Sequence, residues 1–229
     1  MREMSDTTRL VLFGTGQFSE TLCHYLDMDP SVTVEAFCID ADYMPDSREF
    51  RGRPVHAWEE LEAAYPPDSG IKLLGPISFR DGNRFRRDRY LEGKERGYEF
   101  HTYIHPGASV YTEDVGENCV ILESTIVQPF STIGNNVILW SFNHIGHHSK
   151  VGDHCFFAGM VGVSGNCEIG EICFFGGQSG VGDNVKIGEG CIIGFGARVI
   201  DDLEANAITM PPKGRTIPGA ARKFARRLL

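Results

Sequence analysis

The stretch NHIGHHSKVGDH, residues 143–154, holds four of the chain's eight histidines, with His147 and His148 side by side. Imidazole is the side chain whose ordinary pKa lies nearest neutrality, so a cluster this dense can supply a general base, ligate a metal, or stand as a solvated turn. A zinc centre needs about three protein ligands and an open position, and His144, His147, His148 and His154 could supply them only across a boundary between chains. A second candidate site lies near the start, where Gly14-Thr15-Gly16 precedes an amphipathic segment and Asp40 follows a little over twenty residues later. Glycines in such a turn let backbone N–H groups and a helix N-terminus face a phosphate, and the acid can accept hydrogen bonds from a ribose or base. Ser19 stands where a dinucleotide fingerprint has its third glycine, so a purely structural glycine turn stays open as an alternative.

The elements that must position the histidines follow a six-residue period. From Val115 an aliphatic or Phe side chain recurs at every sixth residue through Ile121, Ile145 and Val163 to Val199, and glycine follows it nine times, at 134, 146, 152 and 170 among others. This period suits neither an amphipathic helix nor a hairpin; it suits a parallel β-helix in which three hexads make one triangular coil, giving five coils. Glycine after each apolar residue suits a chain that bends or packs closely there. Five of the seven cysteines (119, 155, 167, 173 and 191) fall four residues after the apolar position, where other hexads carry Ser, Thr, Val or Ala. That slot wants something small, so these thiols read as packing rather than as ligands or disulfides. Cys23 and Cys38 read as core of the first half.

In the coil frame Ile145 points inward and His147 and His148 occupy the next corner, facing out. Gly165, eighteen residues on, stands directly above His147. A base beneath a residue without a side chain leaves a slot for a thin extended ligand, with the Gly165 amide placed to steady an oxyanion. His154, one residue before an inward small position, reads as a packed surface side chain.

The first half reads as strand, glycine turn and amphipathic helix in RLVLFGTGQFSETLCHYL, then a strand in VTVEAFCIDAD, a helix in WEELEAAY, a strand in IKLLGPI and a charged helix in RFRRDRYLEGKERGY whose arginines form a solvated face. With 229 residues and a formal net charge of −9, two domains are expected and a polyanion would be repelled, which excludes nucleic acid as a partner. A signal-peptide core and an apolar run of membrane-spanning length are both missing from the sequence, which reads as a cytoplasmic protein without membrane insertion.

The glycine turn in LFGTGQF, the connection YIHPGASV, the stretch NHIGHHSKVGDH and the coils from GNCEIGEICFFGG to GFGARVIDD together resemble the hexapeptide-repeat sugar acyltransferases of the sialic acid O-acetyltransferase and bacillosamine N-acetyltransferase type. The resemblance spans nearly the whole chain. It implies an α/β Rossmann-like nucleotide-sugar-binding domain over residues 1–103, a left-handed parallel β-helix over 104–206 and a tail or helix over 207–229. It also implies a homotrimer with active sites between subunits, acetyl-CoA as donor with no metal, and a nucleotide-linked sugar as acceptor. His147 falls on the family's catalytic histidine, and His148 stands where the family has an acid. Gly165, Gly177, Phe195 and Ala197 fall on positions along the coenzyme, while Gly14, Thr15, Gly16, Gln17 and Asp40 fall in the sugar-nucleotide site; Gln17 and Phe18 stand where relatives have a histidine. Lys213, Arg215, Arg222 and Lys223 are candidates for coenzyme phosphates. The expected activity is N-acetylation of an amino-deoxysugar on a nucleotide, with His147 as base. O-acetylation, a γ-carbonic-anhydrase-like metal hydratase on the same coil, and a non-catalytic sugar-nucleotide scaffold stay open.

Overall fold

The computed structural model describes residues 7–214 and Pro218. Of the tail or helix expected over 207–229, residues 207–214 and Pro218 are described, and Ile208–Thr209 is a strand that continues the coil rather than a helix; Arg215, Arg222 and Lys223 lie outside the described residues. The first hundred residues form a six-stranded sheet of β1 (Thr8–Phe13), β2 (Val32–Ile39), β3 (Glu49–Phe50), β4 (Arg53–Ala57), β5 (Ile71–Leu74) and β6 (Glu99–Phe100), in the order β3-β4-β2-β1-β5-β6. All neighbours are parallel except β3 and β4. Leu10, Val11 and Leu12 of β1 are fully buried, because a central parallel strand has both faces covered and so reads as an unbroken apolar run. Helix α1 (Gln17–Asp27) lays Leu22, Cys23 and Leu26 on the sheet. WEELEAAY folds as a 3₁₀ turn, Trp58–Glu60, and a short α2 (Leu61–Ala64), and the charged segment forms α3 (Arg84–Glu95). The β3–β4 hairpin is an addition to the sequence reading; Arg51 and Gly52, both at positive φ, make its turn.

From Tyr103 to Thr209 the chain winds as a parallel β-helix of two-residue strands in three sheets. The apolar positions of the hexads point inward: Ile121, Ile145, Phe157, Val163 and Ile193 are fully buried in one core with Cys119, Cys155, Cys167, Cys173 and Cys191. Phe157 and Phe175 stack 4.3 Å apart at 4°. Burial pushes the Cys119 thiol up to about 12, so it packs as a small hydrophobe. Coiling begins two strands earlier than the period shows. Strand Tyr103–Ile104 pairs with Val120–Ile121, and Ser109–Val110 with Ile126–Val127, at a spacing of seventeen rather than eighteen residues. That one-residue deletion hides these two strands from a strict six-residue count.

The glycines that follow the apolar positions serve close packing. A Cβ on Gly146 would lie 2.5 Å from the Ser164 carbonyl of the next coil, and one on Gly170 would lie 2.6 Å from Glu189 N. Bending happens two residues later, where every sixth residue from Asn118 to Gly196 has a positive φ. Asn and Gly tolerate that region best, which accounts for Asn118, Asn136, Asn166 and Asn184.

The two halves share a core. Val120, Ile138 and Phe156 point outward from one sheet of the prism and are buried against Leu10, Leu22, Leu26 and Phe37. Beside them Arg86 of α3 is only 1% exposed. Its guanidinium donates to Asn136 Oδ1 at 2.9 Å and to the carbonyls of His154 at 2.7 Å, Cys155 and Asn136. Asn136 in turn contacts His154 Nδ1 at 2.9 Å and accepts from Asn118 Nδ2, while Asn118 Oδ1 accepts the Gly75 N–H at 2.8 Å. Arg86 is therefore not part of a solvated face, and His154 is a buried group between the halves rather than a surface one. Burial and the nearby Arg86 cation lower the His154 pKa to about 4.

Candidate active site

The corner after each strand places one residue outward, and stacking at eighteen-residue spacing turns these residues into edges of the prism. Pro129, His147, Gly165 and Asp183 fall on one edge. His147 is fixed through its backbone: its N–H donates to Gln128 Oε1 at 2.9 Å and its carbonyl accepts the Asn166 N–H at 2.9 Å. The ring lies under Gly165, so that a Cβ on Gly165 would come 2.6 Å from His147 Cε1 and 2.9 Å from Nε2. The slot expected from the repeat is present. The amide is not free, however: Gly165 N–H donates to Asp183 Oδ1 at 3.0 Å. An oxyanion at this rung would have to displace a carboxylate, so the role expected of that amide is corrected.

His148 turns back beside His147, with the two Nδ1 atoms 3.1 Å apart. Its own ring packs on Phe130 of the rung below, centroids 4.8 Å apart. No carboxylate takes this place among the described hydrogen-bond partners of His147. Nor does any group of three or more His, Cys, Asp or Glu side chains among the described residues converge as metal ligands.

The coenzyme candidates fall elsewhere. Gly177 and Phe195 belong to a second edge with Glu123, Ser141 and Gly159; a Cβ on Gly177 would meet the Gly159 carbonyl at 3.1 Å and the Phe195 ring at 3.5 Å. Phe195 is 66% exposed. Ala197 points into the prism at 1% exposure, its N–H donating to Gly194 and its carbonyl accepting from Gly180. Its methyl is buried and both its backbone groups are engaged within the coil, so its expected place along the coenzyme is corrected. Between the two edges runs an uncovered sheet whose outward residues include Gly162 and Gly180. One chain therefore does not bring His147 together with Gly177 and Phe195.

The glycine turn opens on a cavity of about 810 Å³ lined by Gly14, Thr15, Gly16, Gln17, Asp40 and also Trp140. Gly14 has φ +103, and a Cβ there would meet Ser19 Oγ at 3.0 Å, with that hydroxyl donating to the Phe13 carbonyl. Ser19 thus closes the turn from beneath, where a third glycine would give close approach. Gly16 caps α1 without a side-chain acceptor, leaving the helix N-terminus facing the cavity. Asp40, 8% exposed, accepts from Arg89 Nε at 2.8 Å, and the Arg89 guanidinium lies 5.0 Å over Phe85. Tyr43, Ser78, Arg80 and Phe85 also line the wall. Arg80 and the 76–78 loop follow the carboxyl end of β5, a place where ligands gather in open parallel sheets, and that rule could have found them in the sequence. Trp140 carries no such signal, since it reaches the cavity from the β-helix and meets Phe18 edge-on at 4.6 Å.

The fold has counterparts among known proteins. The bacterial transferase hexapeptide (six repeats) family matches residues 130–165 and 166–201. A mutant of perosamine N-acetyltransferase from Caulobacter crescentus, solved with CoA and GDP-perosamine, has a TM-score of 0.75 at 22% identity over 92% of this chain and 98% of that one. The acetyltransferase domain of PglB from Neisseria gonorrhoeae FA1090, in complex with acetyl coenzyme A, has a TM-score of 0.77 at 20% identity over 90% and 100%. WeeI from Acinetobacter baumannii AYE has a TM-score of 0.61 at 18% identity over 92% and 100%. No curated protein sequence matches the chain. The chain thus carries the bacterial transferase hexapeptide repeat over residues 130–201, within a two-part fold shared along its length with these acetyltransferase structures.

Proposed function

We propose that this protein is a member of the sialic acid O-acetyltransferase and bacillosamine N-acetyltransferase group that transfers an acetyl group from acetyl-CoA to the amino group of a nucleotide-linked amino-deoxysugar. The observation that carries this reading is the cavity shared by the two halves. It begins at the α1 N-terminus, where a diphosphate fits, and ends at Trp140, next to the edge bearing Ser141, Gly159 and Gly177. The Rossmann-like half then holds the nucleotide, with Gly14, Thr15, Gly16 and Gln17 at the phosphates and Asp40 at the ribose or base. The similar structures with CoA and GDP-perosamine, or with acetyl coenzyme A, support both ligands.

The amine nitrogen attacks the thioester carbonyl and an N–C bond forms. His147 Nε2 takes the proton from that nitrogen; as the C–S bond breaks the same proton passes to the leaving sulfur, giving an amide and free CoA. An amine acceptor suits a base without a carboxylate partner better than a hydroxyl does, because a neutral amine attacks unaided and needs the base only late.

His147 stands on one edge and Gly177 and Phe195 on another, so the site is completed by a second copy of the chain laid against the glycine-bearing sheet. A left-handed β-helix in a homotrimer with three inter-subunit sites, working in the cytoplasm, meets this requirement. Thermal unfolding with acetyl-CoA and a panel of nucleotide-linked amino and hydroxy sugars tests the proposal. Protection by acetyl-CoA and by an amino sugar nucleotide, followed by acetylation of that sugar, is the expected result. Absence of any protection by acetyl-CoA would instead point to a sugar-nucleotide scaffold, and stoichiometric zinc by elemental analysis to a hydratase.

A further inference from the structure

We propose that His148 is a positioning residue for His147, accepting its Nδ1–H hydrogen and so leaving Nε2 as the lone pair that faces substrate. The inference rests on the acetyl-transfer reading above. Two Nδ1 atoms 3.1 Å apart cannot both be bare and cannot both carry hydrogen; one donates and the other accepts. If His148 donates, His147 carries its hydrogen on Nε2 and cannot act as a base. If His147 donates, its Nε2 is free beside the bare backbone of Gly165. His148 is itself held for this task. Its left-handed backbone, φ +57, turns the ring toward its neighbour, and Phe130 from the rung below packs against it. Gln128 pins the His147 backbone from the same side.

His148→Gly and His148→Asn test the proposal, since both residues suit the left-handed corner and the fold is retained. Asn places Oδ1 where His148 has Nδ1, an acceptor for the same hydrogen. The Gly variant should lose about 10- to 100-fold in plateau kcat with KM for acetyl-CoA within about threefold. The Asn variant should recover about tenfold over the Gly variant. A Gly variant within about threefold of wild-type kcat, or an Asn variant no better than Gly, would overturn the assignment. Ring ¹⁵N NMR of the wild-type protein separates this from a failure of the acetyl-transfer reading. Hydrogen on His147 Nδ1 is expected whatever the substrate, and hydrogen on its Nε2 alone overturns the proposal even if acetyl transfer is observed.

Discussion

The His147 ring lies directly beneath Gly165, one rung apart on the same edge, at a distance where a Cβ on Gly165 would come 2.6 Å from Cε1. Gly165 has an ordinary negative-φ backbone, since it is not among the residues at positive φ. Alanine therefore fits the coil but not the ring. Gly165→Ala should leave the unfolding midpoint nearly unchanged and reduce kcat by about 10²-fold, because a base displaced by about an ångström loses its alignment. Steady-state kinetics beside a urea melt checks both halves of that statement.

Asp40 lines the cavity at the glycine turn and is held there by Arg89. Asp40→Ala should raise KM for the sugar nucleotide by about tenfold or more, while thermal protection by acetyl-CoA persists. Equal loss of both ligands would show that the substitution had unsettled the fold rather than the cavity.

Arg86 is a buried cation held by carbonyl oxygens and Asn136 rather than by a carboxylate. Burial alone lowers its pKa to about 10, still far above neutrality, so it stays charged and its hydrogen bonds are charge-assisted. Arg86→Leu should cost at least about 2 kcal/mol in urea unfolding, because several buried carbonyls lose their donor at once.

His154 gives the protein an acid sensitivity of definite sign. Its folded pKa of about 4 lies below the ordinary 6.5, so the unfolded chain takes up a proton that the native state refuses. Above pH 6.5 the full stability is present; between 6.5 and 4 it falls, by on the order of 3 kcal/mol from this group. Burial also lowers the His101 pKa, which adds a loss of the same sign. His154→Asn extends the column of Asn118 and Asn136 and suits the left-handed corner. Urea unfolding of this variant across that pH range should show a shallower decline than the wild-type protein.

Much of the coil was legible because its constraint is strictly local. Each inward residue from Ile121 to Val199 meets the same axis, so the sequence repeats, and the neighbourhood of His147 and Gly165 follows from counting eighteen. The face covered by the first half was not read, although Val120, Ile138, Phe156, Phe174 and Ile192 make an apolar outward column in the sequence, against Thr132, Lys150, Glu168 and Lys186 on the solvated sheet. Contacts between the halves were not legible. Arg86 sits in a segment rich in charge, and nothing in RFRRDRY sets it apart from Arg87 until α3 meets the prism. The engagement of Gly165 N–H by Asp183 depends on a rotamer, and the inward direction of Ala197 was outweighed by the family position assigned to it, although the small-residue slot of the hexad already placed it inside.

Acetyl transfer through His147 is the claim on which the functional account turns. Mass spectrometry of a nucleotide-linked amino sugar incubated with acetyl-CoA measures it directly, comparing the wild-type protein with His147→Ala. One added acetyl group on the sugar nitrogen is expected with wild-type protein, and initial rates for the variant lower by about 10²- to 10⁴-fold with acetyl-CoA protection retained. Equal rates for the two proteins would contradict that claim.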